Sequence, residues 1–272
     1  MSTDSLHSSP LGKSVSYTTH YDPDLLFALP RNEQRKKLTL PPQWFGEDVW
    51  HAYELSWLTP SQKPAVALGR FRIPHDSPDL IESKSLKLYL NSLNEQVFSD
   101  LGQLHDCLKR DLSATAKAEV QVELFDVDAA PSLQTTTLPG LLIDGAEFHQ
   151  RHPEPMPEHL RCDASTTVEE TLVSHLLKSN CLITRQPDWG SVIIRYRGPK
   201  IEHGSLLEYI VSYRNHDEFH EHCVERIFCD ILRQCQPKTL FVQALYTRRG
   251  GLDINPWRST EQHTFLPLRS FR

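Results

Sequence analysis

Cys181 and Asp188 stand seven residues apart in the segment SNCLITRQPDWGS, with the carboxylate inside a Pro-Asp-Trp-Gly turn. A thiol, with a reference pKa of ~8.5, is a nucleophile once its surroundings favour the thiolate. A carboxyl group folded back toward it is a proton donor or base. Cys181 also reads as a small buried residue, and the spacing alone leaves both readings open. Downstream, HDEFHEHC runs from His216 to Cys223. His216 and His220 are four apart, which suits one helix face and invites a zinc reading, although Asp217 breaks the HExxH pattern. In the other reading, the Glu221 carboxylate accepts two N–H bonds from a guanine-like edge and His220 adds a contact.

Two more stretches carry charge suited to an anion. ESKSLK, from Glu82 to Lys87, places two lysines and two serines at a predicted helix start, where backbone N–H groups and the macrodipole favour negative charge. TRRGG, from Thr247 to Gly251, is a basic turn whose glycines let backbone approach a phosphate closely. Each reads equally as a solvated face or an ordinary hairpin turn.

The elements that must position these residues come from an internal repeat. IESKSLKLYLNSLN, starting at Ile81, matches IEHGSLLEYIVSYRN, starting at Ile201. Glu82 meets Glu202, Ser85 meets Ser205, Tyr89 meets Tyr209 and Ser92 meets Ser212, while Lys84 and Lys87 meet Gly204 and Leu207. PAVALGRFRI and GSVIIRYRG precede the two copies and alternate as strands do, the first followed by the longer loop PHDSPD. Leu86, Tyr89, Leu90 and Leu93 lie at helical spacing, as do Leu206, Tyr209, Ile210 and Tyr213. A second helix is predicted from Val97, Leu101, Leu104 and Leu108, and its counterpart from Val224, Ile227, Phe228, Ile231 and Leu232. AEVQVELFDV and TLFVQALYT then read as strands. TVEETLVSHLLKSN has helix-like spacing at Val168, Leu172 and Leu176, but the repeat requires a strand there.

The predicted order is β-β-α-α-β-β, twice. It implies an α+β fold of duplicated antiparallel sheets, each with two helices on one face. Residues 1–43 read as an arm with few internal contacts, its patch LLFALP docking on the body and its run RNEQRKK solvated. The modules then cover 44–165, carrying ESKSLK, and 166–272, carrying Cys181 and Asp188. Pairing the two copies, or two chains, edge to edge would cover the exposed sheet edges, which suggests a homodimer or larger assembly.

Of 272 residues, 39% are hydrophobic, enough for a sizeable core, and the formal charge of −6 disfavours direct nucleic-acid binding. No apolar run approaches the ~20 residues of a membrane span, and the N-terminus lacks a secretory h-region. Six cysteines without C-x-x-C spacing read as reduced thiols of a cytoplasmic protein.

Together, ESKSLKLY, SNCLITRQPDWGS, SYRNHDEFHEHCVERIF, TRRGGLDINPWRS and the N-terminal WHAYELSWL resemble the NADPH-dependent 7-cyano-7-deazaguanine reductases in their long, two-module, tunnelling-fold form. The resemblance implies reduction of a nitrile to a primary amine with two NADPH, for the tRNA base queuosine. It implies Cys181 as the nucleophile that forms a thioimide and Asp188 as the proton donor. Ile81, Glu82, Ser83, His220 and Glu221 would hold the substrate, Ser83, Lys84, Arg249 and Gly250 the NADPH, and no metal is required. Competing readings are a zinc-dependent pterin or purine hydrolase, and a purine-binding module without catalysis.

Overall fold

The computed structural model describes residues 18, 20–130 and 135–269, which form two compact units interleaved in sequence. The first holds the described residues up to Gln34 with 48–130 and 248–253, and the second holds 35–47, 135–247 and 254–269.

In chain order the elements are β1 (Ala28–Pro30), α1 (Asn32–Arg35), β2 (Phe45–Leu58), β3 (Pro64–Pro74), β4 (Asp79–Ile81), α2 (Ser83–Ser92), α3 (Leu101–Ala116) and β5 (Gln121–Phe125). They continue with β6 (Leu141–Leu142), β7 (Cys162–Asn180), β8 (Pro187–Ile201), α4 (His203–Ser212), α5 (His220–Cys235), β9 (Thr239–Tyr246) and β10 (Leu252–Ser259). The first unit's strands are ordered β5-β3-β2, and the second unit's β10-β9-β8-β7-β6. The pairs β3–β5, β7–β8, β8–β9 and β9–β10 are antiparallel, and the short β6 lies parallel to β7. The fold is α+β, in two tandem copies.

The second unit shows how strand alternation builds two layers. Leu172, Ile194, Val242 and Ala244 join Leu206, Ile210, Val224, Ile227, Phe228 and Ile231 of α4 and α5 in one core. Their strand neighbours Val173, Ile193 and Leu245 point the other way, where Leu138, Leu266 and Leu268 cover them. Each buried side chain of this size stabilises the fold by roughly 1.5–3 kcal/mol.

The two copies share a frame of hydrogen bonds. Tyr89 donates its hydroxyl hydrogen to Asp111 at 2.7 Å, and Tyr209 donates to Asp230 at 2.7 Å, so the same bridge ties the two helices of each copy. Ser85 and Ser205 donate back to the carbonyls of Glu82 and Glu202, and Ser92 and Ser212 to those of Tyr89 and Tyr209. The second helix of each copy ends on a left-handed residue, Lys117 at φ 54° and Gln236 at φ 47°.

Two expectations are corrected. The described part of the arm is built into the fold. The N–H of Glu82 donates to Phe27 O and that of Phe27 to Ser85 Oγ, as Glu202 and Arg161 do around Ser205. Ala28 pairs with Ile81 as Cys162 pairs with Ile201, so LLFALP docks as a strand, the first copy's counterpart of residues 161–162. Nor is RNEQRKK a solvated face. Arg31 is fully buried against Asp48 at 2.5 Å, and Arg35 holds Glu225 at 2.6 Å. Residues 1–17 and 19 of the arm lie outside the described residues.

Candidate active site

The β7–β8 hairpin presents Cys181 and Asp188. Ser179 is the cross-strand partner of Asp188, and Asn180 of Pro187. Cys181 follows β7 directly, one residue past the Asn180–Pro187 pair. The Cys181 N–H donates to Gln186 O at 2.9 Å and its carbonyl accepts from Arg185 N–H at 2.9 Å, closing the loop 181–186 with Arg185 left-handed at φ 56°. The sulfur-bearing residue and the Asp188 carboxyl are both buried.

The start of α5 is brought to this hairpin by backbone pairing. Asn180 N–H donates to His216 O and Asn180 O accepts from Glu218 N–H, at 2.9 and 3.0 Å. The Asn180 amide donates to Asp217 Oδ1 at 3.0 Å, and Arg185 pairs with Asp217. His220 follows as the first residue of α5, its Nε2 3.7 Å from Asp188 Oδ1 and its ring edge-on to Tyr246, with centroids 4.1 Å apart. Glu221, in the first turn of α5, is buried to 3% exposure, and the helix N-terminus favours its negative charge. Beneath it Arg226 makes a two-pronged ion pair with Glu218 at 3.0 and 2.9 Å, and His216 adds a third contact at 2.9 Å. Burial alone would raise Glu218, but hydrogen bonds from His216 and Arg226 outweigh it and hold the carboxyl at about 2. Cys223 is fully buried, and its thiol is pushed up by burial, with the Glu218 charge adding to it.

The first copy repeats this frame without its chemistry. Leu58 pairs with Gln96 and Phe98 as Asn180 does with His216 and Glu218. The residue after Leu58 is Thr59, where the second copy has Cys181 after Asn180. Ala65 follows the strand-opening Pro64, where Asp188 follows Pro187. Leu101 and Gly102 open the 16-residue α3, where His220 and Glu221 open the 16-residue α5.

The reverse holds at the first helix of each copy. Glu82 caps α2, accepting from Lys84 N–H and Ser85 N–H at 2.8 Å each, and burial raises its pKa against those bonds. Its counterpart Glu202 makes no such cap and is half-exposed beside Arg161. This corrects one reading of ESKSLK. The first-turn N–H groups at Lys84 and Ser85 serve the chain's own carboxylate, so a phosphate group cannot take them. Ile81 is buried as the partner of Ala28, and Ser83 opens α2 within reach of Glu82.

Arg249 and Gly250 lie at the tip of the β9–β10 hairpin. Arg249 and Leu252 exchange backbone hydrogen bonds at 2.8 and 3.2 Å around Gly250 and Gly251, whose φ values are 61° and 78°. Two left-handed central residues define a type I′ turn, which glycine adopts at no steric cost. Spacing could not show what holds this tip. Lys87, which the ESKSLK motif offers with Lys84 to an anion, donates to Gly250 O at 2.6 Å and meets Glu54 at 3.4 Å. Arg248 lies over the Tyr53 ring at 4.5 Å. A cavity of about 100 Å³ opens beside the tip, lined by Glu54, Lys87, Asn91, Asn94, Gly250 and Gly251 among others.

The zinc reading of the His cluster finds no matching geometry. His216 turns to Glu218, His220 to Asp188 and Cys223 into the core. Among the described residues no three His, Cys, Asp or Glu side chains form a group suited to a metal. Each of the six cysteines is a free thiol. No described helix is long and apolar enough to cross a membrane.

Residues 17–124 match the family model described as nitrile reductase, 7-cyano-7-deazaguanine-reductase N-term, and residues 187–264 match a model described as QueF-like protein. The chain is 52% identical over 260 residues to the NADPH-dependent 7-cyano-7-deazaguanine reductase of Dechloromonas aromatica, covering 94% of this chain and 92% of that protein. It is 53% identical, with the same coverage, to the enzyme of that name from Aromatoleum aromaticum.

Proposed function

The chain belongs to the NADPH-dependent 7-cyano-7-deazaguanine reductases, and we propose that it reduces the nitrile of 7-cyano-7-deazaguanine through a covalent adduct on Cys181. The observation that carries this reading is the β7–β8 hairpin, which holds Cys181 one residue past the Asn180–Pro187 pair and Asp188 within β8, with His220 3.7 Å from the carboxylate.

A nitrile carbon is a weak electrophile. In the proposed first step the Cys181 sulfur bonds to that carbon, one C–N π bond breaks, and the thiol proton passes by way of Asp188 to the nitrogen. The product is a thioimide, a better hydride acceptor than the nitrile. NADPH, when bound, would supply two hydrides in succession: one adds to the thioimide carbon and the Cys181 thiolate leaves, giving an imine, and the other, with a proton from solvent, gives 7-aminomethyl-7-deazaguanine. The Glu221 carboxylate accepts from the N–H edge of the deazaguanine ring, and His220 adds a contact. Ile81, Glu82 and Ser83 complete the substrate set.

The residues proposed to hold NADPH are Ser83, Lys84, Arg249 and Gly250. The turn at Arg249 and Gly250 supports this reading. The Gly250-Gly251 turn offers backbone without side chains, and Arg248 beside it makes no ion pair or hydrogen bond among the described residues. The product feeds tRNA queuosine synthesis, so RNA is reached through a metabolite. A cytoplasmic location and a homodimer are part of the proposal; the homodimer is supported by β5, an edge strand among the described residues.

The test is intact-mass measurement after incubation with 7-cyano-7-deazaguanine without NADPH. Wild type gains the mass of one substrate, and Cys181→Ala gains none and oxidises no NADPH. An adduct on Cys181→Ala, or none on wild type, refutes the mechanism.

A further inference from the structure

We propose that Lys87 is a positioning residue for the cofactor: it holds the Arg249–Gly250–Gly251 turn in its binding shape. The inference rests on the reading that Arg249 and Gly250 contact NADPH. A Gly-Gly pair is the most mobile two-residue stretch a chain can have, so its left-handed geometry must be imposed from outside. Both of its carbonyls are held by donors from regular elements. Lys87 Nζ, from α2, reaches Gly250 O at 2.6 Å, and Tyr53 N–H, from β2, reaches Gly251 O at 2.9 Å. The N–H groups of Gly250 and Gly251 take part in no hydrogen bond among the described residues. Carbonyls held on one side and amides open on the other make a concave donor surface suited to an anion.

The residues around the turn are fixed in turn. Tyr53 donates its hydroxyl hydrogen to Asp253 Oδ2 at 2.6 Å, and His51 Nδ1 lies 2.7 Å from Asp253 Oδ1. Glu54 lies 3.4 Å from Lys87 Nζ, and a Cβ on Gly251 would stand 2.3 Å from the Glu54 carboxyl carbon. His51, Tyr53 and Glu54 all come from WHAYELSWL, a segment to which the catalytic scheme gives no role. Its job, with Lys87, is to build the seat of the turn. The second copy has Leu207 at the position of Lys87 and needs no such seat.

The experiment compares Lys87→Met, Lys87→Arg, Arg249→Met and the Lys87→Met/Arg249→Met double variant in the full chain. KM for NADPH and kcat are measured, together with the rate of Cys181 adduct formation without NADPH. Losing a hydrogen bond from a charged donor predicts a KM for NADPH raised about tenfold or more in Lys87→Met. The adduct rate is unchanged, and Lys87→Arg recovers most of the loss. Because Lys87 acts through the turn, the double variant is no worse than the worse single one. Effects on KM that multiply make Lys87 an independent cofactor contact and overturn the proposal, as does an unchanged KM or loss of the adduct in Lys87→Met. An unchanged KM in Arg249→Met refutes the underlying reading of the turn instead, and the proposal with it.

Discussion

His220 holds its Nε2 3.7 Å from Asp188 Oδ1, beyond hydrogen-bond length, while its ring is braced edge-on by Tyr246. In the proposed scheme the Asp188 carboxyl passes a proton to the substrate nitrogen. Asp188→Asn keeps the shape and removes that proton. Placed acids contribute about 10²–10⁴-fold, so kcat should fall by ~10² or more and the adduct on Cys181 should form correspondingly slowly. Stopped-flow and mass measurements check this, and wild-type rates in the variant would remove Asp188 from the chemistry.

Glu221→Gln tests recognition rather than reaction. A hydrogen bond to a charged group is worth ~1.5–3 kcal/mol, so KM for the nitrile substrate should rise by about 10–100-fold. KM for NADPH should stay within about threefold, below the cost of one such bond. Steady-state kinetics with each substrate varied in turn distinguish the two.

Acid should weaken the second unit through Glu218. Its carboxyl is held at about 2 in the fold against a reference of 4.5. A depressed carboxylate contributes stability that is complete above the unfolded value and is lost as pH falls toward the folded one. The melting temperature should therefore drop between pH 4.5 and about 2. Glu218→Gln leaves Arg226 buried without its charge partner, which costs ~3–5 kcal/mol at neutral pH and flattens the acid limb of the curve. Calorimetry from pH 2 to 7 shows both, and an unaltered acid limb contradicts the assignment.

The duplicated Tyr–Asp bridge predicts unequal costs. After Tyr89→Phe, Asp111 still accepts from Tyr21 at 2.7 Å. After Tyr209→Phe, Asp230 loses its one hydrogen-bond donor among the described residues. An unsatisfied buried acceptor costs about 1–3 kcal/mol, so Tyr209→Phe should lower stability more than Tyr89→Phe. Chemical denaturation of the two variants measures the difference directly.

Much of this was legible in the sequence because the repeat constrains pairs of elements at once. Leu86, Tyr89, Leu90, Val224, Ile227, Phe228 and Ile231 are buried as their spacing implies. Val168, Leu172 and Leu176 mimicked a helix because a spacing of four is also even and keeps one strand face. The bulge between Ser174 and Leu177 then shifts the register. The spacing places Val97 in a helix, but that helix starts only at Leu101, where Asp100 accepts from Gln103 N–H. What stayed hidden depends on long-range pairing. Nothing local marks Arg31 for Asp48, Arg35 for Glu225 or Lys87 for Gly250, since each contact needs the fold to exist first.

Residues 248–253 pack with the first unit although they follow nearly all of the second along the chain. On a ribosome, β5 emerges long before this tip does. At ~5–20 residues per second the delay is on the order of ten seconds. For that interval Tyr53, Glu54 and Lys87 lack the turn they seat, and the nascent first unit is open at that place. Translation speed and chaperone access over this window should therefore bear on the yield of correctly folded first unit.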